Sequence, residues 1–377
     1  MSQRFSVRRV FPGSNTPQGF YSYYRYVLEQ DRASRIFVLK GGPGVGKSTL
    51  IKRIGSAMSE RGLAVEYHHC SSDNDSLDGV VVPQAGIALM DGTAPHVVDP
   101  VTPGAIDEIV NLGEYWDERG IRSHRLAIQV LNEQIADRFQ QAYRYLAAAR
   151  SVYDDIEAVH RAALDFGALN QMAAALVDEL LDGSWAAPRP GRVRRLFGSA
   201  ITPGGAINYL ESIIGPAQRK VVVQGRPGTG KATLLAKLAA QAVERGYAVE
   251  HFHCPFDPEK VQHLVIAELD TAVTTSVEPH LWAGPADVVV DTDDALDAGA
   301  LKKHAARLEQ GHEAYQRLFD QAIAALKEAN ELHDQLETYY IPYMDFGRID
   351  QLAQRLIARI DADIEERLSP PGGLANT

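Results

Sequence analysis

Two short stretches of this chain carry residue types able to hold a row of phosphates. "GGPGVGKST" runs from Gly41 to Thr49, and "GRPGTGKAT" from Gly225 to Thr233. Glycine lets the main chain approach closely, so that successive backbone N–H groups can point at phosphate oxygens from the start of a helix. In the first stretch Gly41, Gly42, Gly44, Val45 and Gly46 form the expected cradle, Lys47 neutralises the β- and γ-phosphates, and Ser48 and Thr49 open the helix. The Ser48 hydroxyl is a ligand for Mg²⁺, and Asp91, the acid closing the apolar run "GIALMD", is the expected second holder of that ion. The second stretch keeps Gly225, Gly228, Gly230 and Lys231 but has Ala232 in the hydroxyl position. Thr233 stands one residue further along, about 100° round the helix, and Arg226 adds charge beside the loop. The expectation is Mg²⁺-dependent ATP hydrolysis in the first copy, with Lys47, Asp91 and Asp73 as its catalytic residues. The second copy is expected to bind nucleotide weakly, regulate, or support the fold.

Other polar residues recur without so clear a role. His69, Cys70 and Asp73 return as His253, Cys254 and Asp257. A metal is one reading of such a group, but neither copy has a standard zinc spacing; Asp73 could also position a water or a phosphate acceptor, or cap a turn. The group that activates water is open among Asp73, Asp78 and His96. In "DGTAPHVVDP" His96 aligns with Thr275, which would make it a specialisation of the first copy. Arg122 and Arg125 open a long helical stretch and are either solvated or arginine fingers.

The elements that must position these residues are written twice. "VRRVFPGSNTPQG" from Val7 matches "VRRLFGSAITPGG" from Val193, "ERGLAVEYHHC" matches "ERGYAVEHFHC", and "DFGALNQMAAALVDEL" from Asp165 matches "DFGRIDQLAQRLIARI" from Asp345. A repeat so sustained is a duplicated domain. The Gly-, Pro- and Arg-rich joint places the boundaries at 1–182 and 193–368, with a linker at 183–192 and a Pro-rich tail at 369–377 expected to be disordered. Each copy reads strand, Gly-rich loop, helix, strand, the opening of a parallel α/β sheet. A third strand, "GIALMD" or "LVIAELD", ends on an acid in both copies, Asp91 and Asp270. Near-heptad apolar positions then run from about Arg122 to Leu164 and again from Ala305 to Leu336. Each is expected to be one long helix, turned at "DFG" into a shorter returning helix, so that every copy ends in a helical hairpin.

The bulk properties set limits. The 377 residues are 45% hydrophobic and 23% charged with a net charge of −11, which fits a globular protein and argues against a nucleic-acid partner. Two cysteines give no disulfide framework, and no apolar run reaches membrane-spanning length, so a cytoplasmic protein without a membrane partner is expected.

The two Gly-rich loops resemble the Walker A segment of the P-loop NTPase superfamily, over roughly the first third of each half; "GGPGVGKST" looks like the version in nucleotide kinases and AAA-type ATPases. The whole arrangement, with "ITPGG" before the second loop and "HC" after the following strand, is similar to a little-characterised family of bacterial tandem P-loop ATP-binding proteins. That resemblance implies two tandem P-loop NTPase-like α/β domains, each a parallel sheet flanked by helices, that bind ATP with Mg²⁺. Neither an "LSGGQ" signature nor a guanine-reading "NKxD" is present. Two alternatives stand beside the ATPase: a small-molecule or nucleotide kinase, and a non-catalytic nucleotide-dependent interaction module. The partner, a small molecule or a protein, is left open, and the unpaired helical seams leave room for a homo-oligomer through the arms.

Overall fold

A computed structural model describes residues 7–181 and 187–368; the expected tail and positions 183–186 of the expected linker lie outside the described residues. In the first half the chain runs β1 (Val7–Val10), β2 (Gly13–Thr16), β3 (Gly19–Ser22), β4 (Arg35–Lys40), α1 (Lys47–Glu60), β5 (Val65–His69), β6 (Leu77–Val82), β7 (Ile87–Asp91), β8 (Asp107–Asn111), α2 (Glu118–Ser123), α3 (Arg125–Ala162) and α4 (Phe166–Leu181). The second half repeats it as β9 (Val193–Phe197), β10 (Ser199–Thr202), β11 (Gly205–Asn208), α5 (Leu210–Ile214), β12 (Arg219–Gln224), α6 (Lys231–Glu244), β13 (Val249–Cys254), β14 (Asp257–Ile266), β15 (Thr271–Thr275), β16 (Val288–Asp291), α7 (Ala298–Lys302), α8 (Ala305–Glu337) and α9 (Phe346–Leu368).

Each half builds a sheet around its Gly-rich loop, in the orders β1-β5-β6-β7-β4-β8 and β9-β13-β14-β15-β12-β16. The strand entering each loop, β4 or β12, is flanked by parallel neighbours on both sides and is apolar through its middle, as a strand covered on two faces must be. The sheets are mixed and not wholly parallel as expected: β6 runs antiparallel to β5 and β7, and β14 likewise to β13 and β15. The reason is connection length. Between β6 and β7 the chain reverses through Pro83–Gly86, closed by Ala85 N–H to the Val82 carbonyl at 3.1 Å and Gly86 N–H to the Pro83 carbonyl at 3.2 Å. So short a link makes a hairpin, because a parallel crossover needs a dozen residues or more. A small antiparallel sheet, β11-β10-β2-β3, joins the halves at the paired residues Asn15 and Ile201.

The helical arms do not form the expected hairpins. α3 lies antiparallel along α8, its own duplicate, and both apolar seams are filled there: Ala142, Leu146 and Ala149 meet Phe319, Ala322 and Leu326. Each returning helix then crosses to the other half. Ala173, Leu176 and Leu180 of α4 pack with Leu234, Leu235 and Leu238 of α6, while Ile349, Leu352 and Leu356 of α9 pack with Ile51, Ile54 and Met58 of α1. The "DFG" turns dock on the opposite half through main-chain bonds. Asp165 N–H donates to the Ala295 carbonyl and Asp345 N–H to the Tyr115 carbonyl, both at 2.8 Å. The units 1–182 and 193–368 therefore follow the order of the chain, whereas each packed body is the sheet of one copy closed by the last helix of the other. The seam that asked for a partner helix finds it within the same chain.

Candidate functional site

Both Gly-rich loops link a central strand to the first turn of a helix, α1 or α6, whose N-cap is a left-handed glycine: Gly46 with φ 88° and Gly230 with φ 88°. Gly44 and Gly228 also have positive φ, 66° and 80°, which favours glycine there. No side chain caps either helix, so its first N–H groups face the loop, with the positive end of the helix dipole behind them. Val45 is buried and pins the loop to the core, whereas Thr49 is exposed. In α1 the residues one turn apart, Leu50, Ile54 and Met58, face the sheet, which holds Lys47 and Ser48 at the opening of the loop.

In the first loop three expected residues converge. Lys47 Nζ donates to the Gly41 and Gly42 carbonyls at 3.0 and 2.7 Å and lies 3.6 Å from Asp91 Oδ2. Asp91 closes β7, the parallel neighbour of β4, and its Oδ1 accepts from Thr93 N–H at 2.8 Å. Ser48 Oγ accepts from Leu77 N–H at 3.0 Å. Lys47 and Asp91 thus meet at the loop, with the Ser48 hydroxyl one residue further into α1 and held against β6. Asp73 is not among them: its Oδ1 accepts from Asp75 N–H and its Oδ2 from Ser76 Oγ, so both oxygens cap the turn before β6. Arg122 is largely exposed and paired with Glu118 at 3.3 Å, and Arg125 is exposed on α3, the solvated reading for both.

In the second loop Lys231 Nζ donates to the Gly225 and Arg226 carbonyls at 2.7 and 2.5 Å, the arrangement of Lys47 again, and burial lowers its pKa to about 8. Arg226 pairs with Asp293 at 3.4 Å. The acid expected to close the third strand of this copy is not there. Asp270 sits in the left-handed turn before β15, at φ 47°, where its Oδ1 accepts from Gln218 N–H. Register shows why: Leu39 pairs with Asp91 in the first sheet, and its counterpart Val223 pairs with Thr275 in the second. The second copy thus lacks both the hydroxyl, at Ala232, and the carboxylate, at Thr275. The same register corrects the alignment of His96, whose counterpart is His280 in the matching "PH" step and not Thr275. A cavity of about 260 Å³ opens beside the second loop, lined by Lys231, Thr233, Tyr153, Phe256, Tyr315 and Glu157 among others.

Two residues of the site escaped the reading of the sequence. Glu337, at the end of α8, accepts the Gly44 N–H of the first loop on Oε1 at 3.0 Å. Its repeat counterpart Glu157, in α3, covers the second loop so closely that a Cβ on Gly228 would lie 2.4 Å from its carbonyl oxygen; its carboxylate takes Lys260 on both oxygens at 2.9 Å. The signal available was an acid at the same place in both arms, but nothing local says that an arm ends on the other copy's loop.

Cys70, Asp78 and His96 come together below the first loop, all buried. Burial, and then the Asp78 carboxylate, pushes the Cys70 thiol up. Burial also raises the Asp78 carboxyl, whose Oδ2 accepts from Tyr24 Oη at 2.6 Å.

The profile of the family described as Nephrocystin 3, N-terminal, matches residues 21–81, a span holding β4, the first Gly-rich loop, α1 and β5. No curated protein and no solved structure matches the chain. Among the described residues, no helix is long and apolar enough to cross a membrane.

Proposed function

We propose that this chain is a tandem P-loop protein that binds ATP and hydrolyses it with Mg²⁺ at the first Gly-rich loop, while the second binds nucleotide without turnover. The observation that carries this reading is the convergence of Lys47, Ser48 and Asp91 on one loop, set against the loss of both oxygen ligands at Ala232 and Thr275. The donor set fits the ion, since a hydroxyl and a carboxylate are hard oxygen ligands. It also fits the anion, since the Gly44 N–H already takes a carboxylate oxygen from Glu337. Bound Mg²⁺ would supply charge neutralisation across the β- and γ-phosphates. Lys47 Nζ, held near the loop by two carbonyls, would turn from them to the phosphates, and the free N–H groups of α1 would orient the same oxygens.

Phosphate release from ATP by the full chain, measured with and without Mg²⁺, tests this. Ser48→Ala and Asp91→Asn should each lower the Mg²⁺-dependent rate about 100-fold, the scale on which one charge-stabilising group acts. Unchanged rates in both variants would contradict the assignment. Coverage of each loop by the end of the opposite arm favours a second reading, a phosphotransferase whose arms exclude water. In that case ADP would form only when an acceptor is added.

A further inference from the structure

Cys70 directly follows β5, Asp78 lies in β6 and His96 sits in the loop between β7 and β8, and the fold brings one donor atom of each within 4.8 Å of the others. The sequence pointed to His69, Cys70 and Asp73 for a metal, but Asp73 is spent on its turn and the His69 ring bonds Tyr209 Oη at 3.0 Å. A different acid and a different histidine reach the thiol. His96 Nε2 and Asp78 Oδ1 are 3.7 Å apart, too far for a hydrogen bond. That is the separation of two donors on one tetrahedral ion, about 3.3–3.8 Å for ligand bonds of 2.0–2.3 Å. His96 Nδ1 is buried without a partner.

We infer that Cys70, Asp78 and His96 form a divalent transition-metal site that takes Zn²⁺. Thiolate, imidazole and carboxylate together suit a borderline-soft ion and reject Mg²⁺ and Ca²⁺, which take oxygen ligands. Three protein ligands leave a fourth tetrahedral position for water or an exogenous group. One neighbour fixes two of the ligands: the Tyr24 hydroxyl holds the second oxygen of Asp78 at 2.6 Å, and the Tyr24 ring stacks on His96 with centroids 5.0 Å apart. The site uses neither Lys47, Ser48 nor Asp91, so it stands or falls apart from ATP hydrolysis.

The second half is an internal control. At the same strand positions it has Cys254, Gln262 and His280, and Gln262 brings a neutral amide where the first half has a carboxylate. One ion per chain is therefore expected, not two.

The test is elemental analysis of the full chain after loading with Zn²⁺ and dialysis, beside the visible spectrum of the Co²⁺-loaded chain. The site predicts one equivalent of Zn²⁺ and a thiolate-to-cobalt charge-transfer band. Cys70→Ser and Asp78→Asn should lose both signals, and Cys254→Ser should keep both. Circular dichroism of each variant separates lost binding from lost fold, and the wild-type cobalt spectrum reports thiolate ligation with no variant at all. No retained zinc and no thiolate band in the wild type would overturn the inference, as would zinc retained equally by a folded Cys70→Ser.

Discussion

At the scale of the residue, the two loops differ by two oxygen ligands, not by one. Restoring only the hydroxyl should therefore do little: Ala232→Ser alone is expected to leave Mg²⁺-dependent nucleotide affinity at the second loop unchanged, whereas Ala232→Ser with Thr275→Asp should raise it, as titration calorimetry with and without Mg²⁺ would read in a Lys47→Ala background. Glu337 makes a second prediction. Its carboxylate occupies an N–H that a phosphate oxygen would need, so Glu337→Ala should tighten ATP binding at the first loop by about fivefold, the worth of a net hydrogen bond of about 1 kcal/mol. Weaker binding would instead make Glu337 part of the nucleotide site. Lys231 makes a third: burial brings its pKa down to about 8, so phosphate binding at the second loop should decline as pH rises through that value and the ammonium is lost. Lys47, Ser48 and Asp91 were legible in the sequence because each lies in or just beyond a motif with a mechanical reason for its spacing. The missing acid of the second copy was not legible: "LVIAELD" ends on an acid as "GIALMD" does, and only the pairing of Val223 with Thr275 shows that the strands are offset.

At the scale of the element, strands, loops and long helices follow from their periods, but the partners of the helices do not. An amphipathic stripe states that a face must be covered and is silent about which copy covers it. In a duplicated chain the two candidate cores are nearly the same, so α9 and α4 could each have closed either sheet; the main-chain docking of the "DFG" turns fixes the exchange. A core substitution makes this visible. Leu356→Ala removes a side chain 1% exposed in the core beneath β4 and α1 and should cost about 2–5 kcal/mol. Hydrogen exchange should then rise in peptides of α1 and β4. Leu176→Ala should do the same in α6 and β12. A rise for Leu356→Ala in α6 and β12 instead would return α9 to its own half.

At the scale of the whole molecule, the halves are held by the crossed arms, by the joint sheet and by a four-charge cluster. Arg8 and Arg194 both reach Glu66 and Glu250, with the Arg8–Glu250 pair at 2.7 Å and the Arg194–Glu250 pair at 3.0 Å. Burial alone would raise the carboxyls; the arginines outweigh it and hold both carboxylates below their ordinary range, Glu66 with added help from His68. A depressed folded-state pKa gives stability that is present above the unfolded value of about 4.3 and is lost as pH falls through the folded value. Through these groups the unfolding temperature should thus be independent of pH near neutrality and fall in acid, and Glu250→Gln should flatten that acid limb. The same architecture gives the central claim its meaning, because each loop is covered by an arm rooted in the other half, and asymmetric chemistry would then be felt by both. The most direct test is Mg²⁺-dependent phosphate release from ATP by the wild type beside Lys47→Ala and Lys231→Ala. One active loop predicts that Lys47→Ala abolishes turnover and Lys231→Ala leaves most of it; equal loss from both substitutions would contradict a single hydrolytic site.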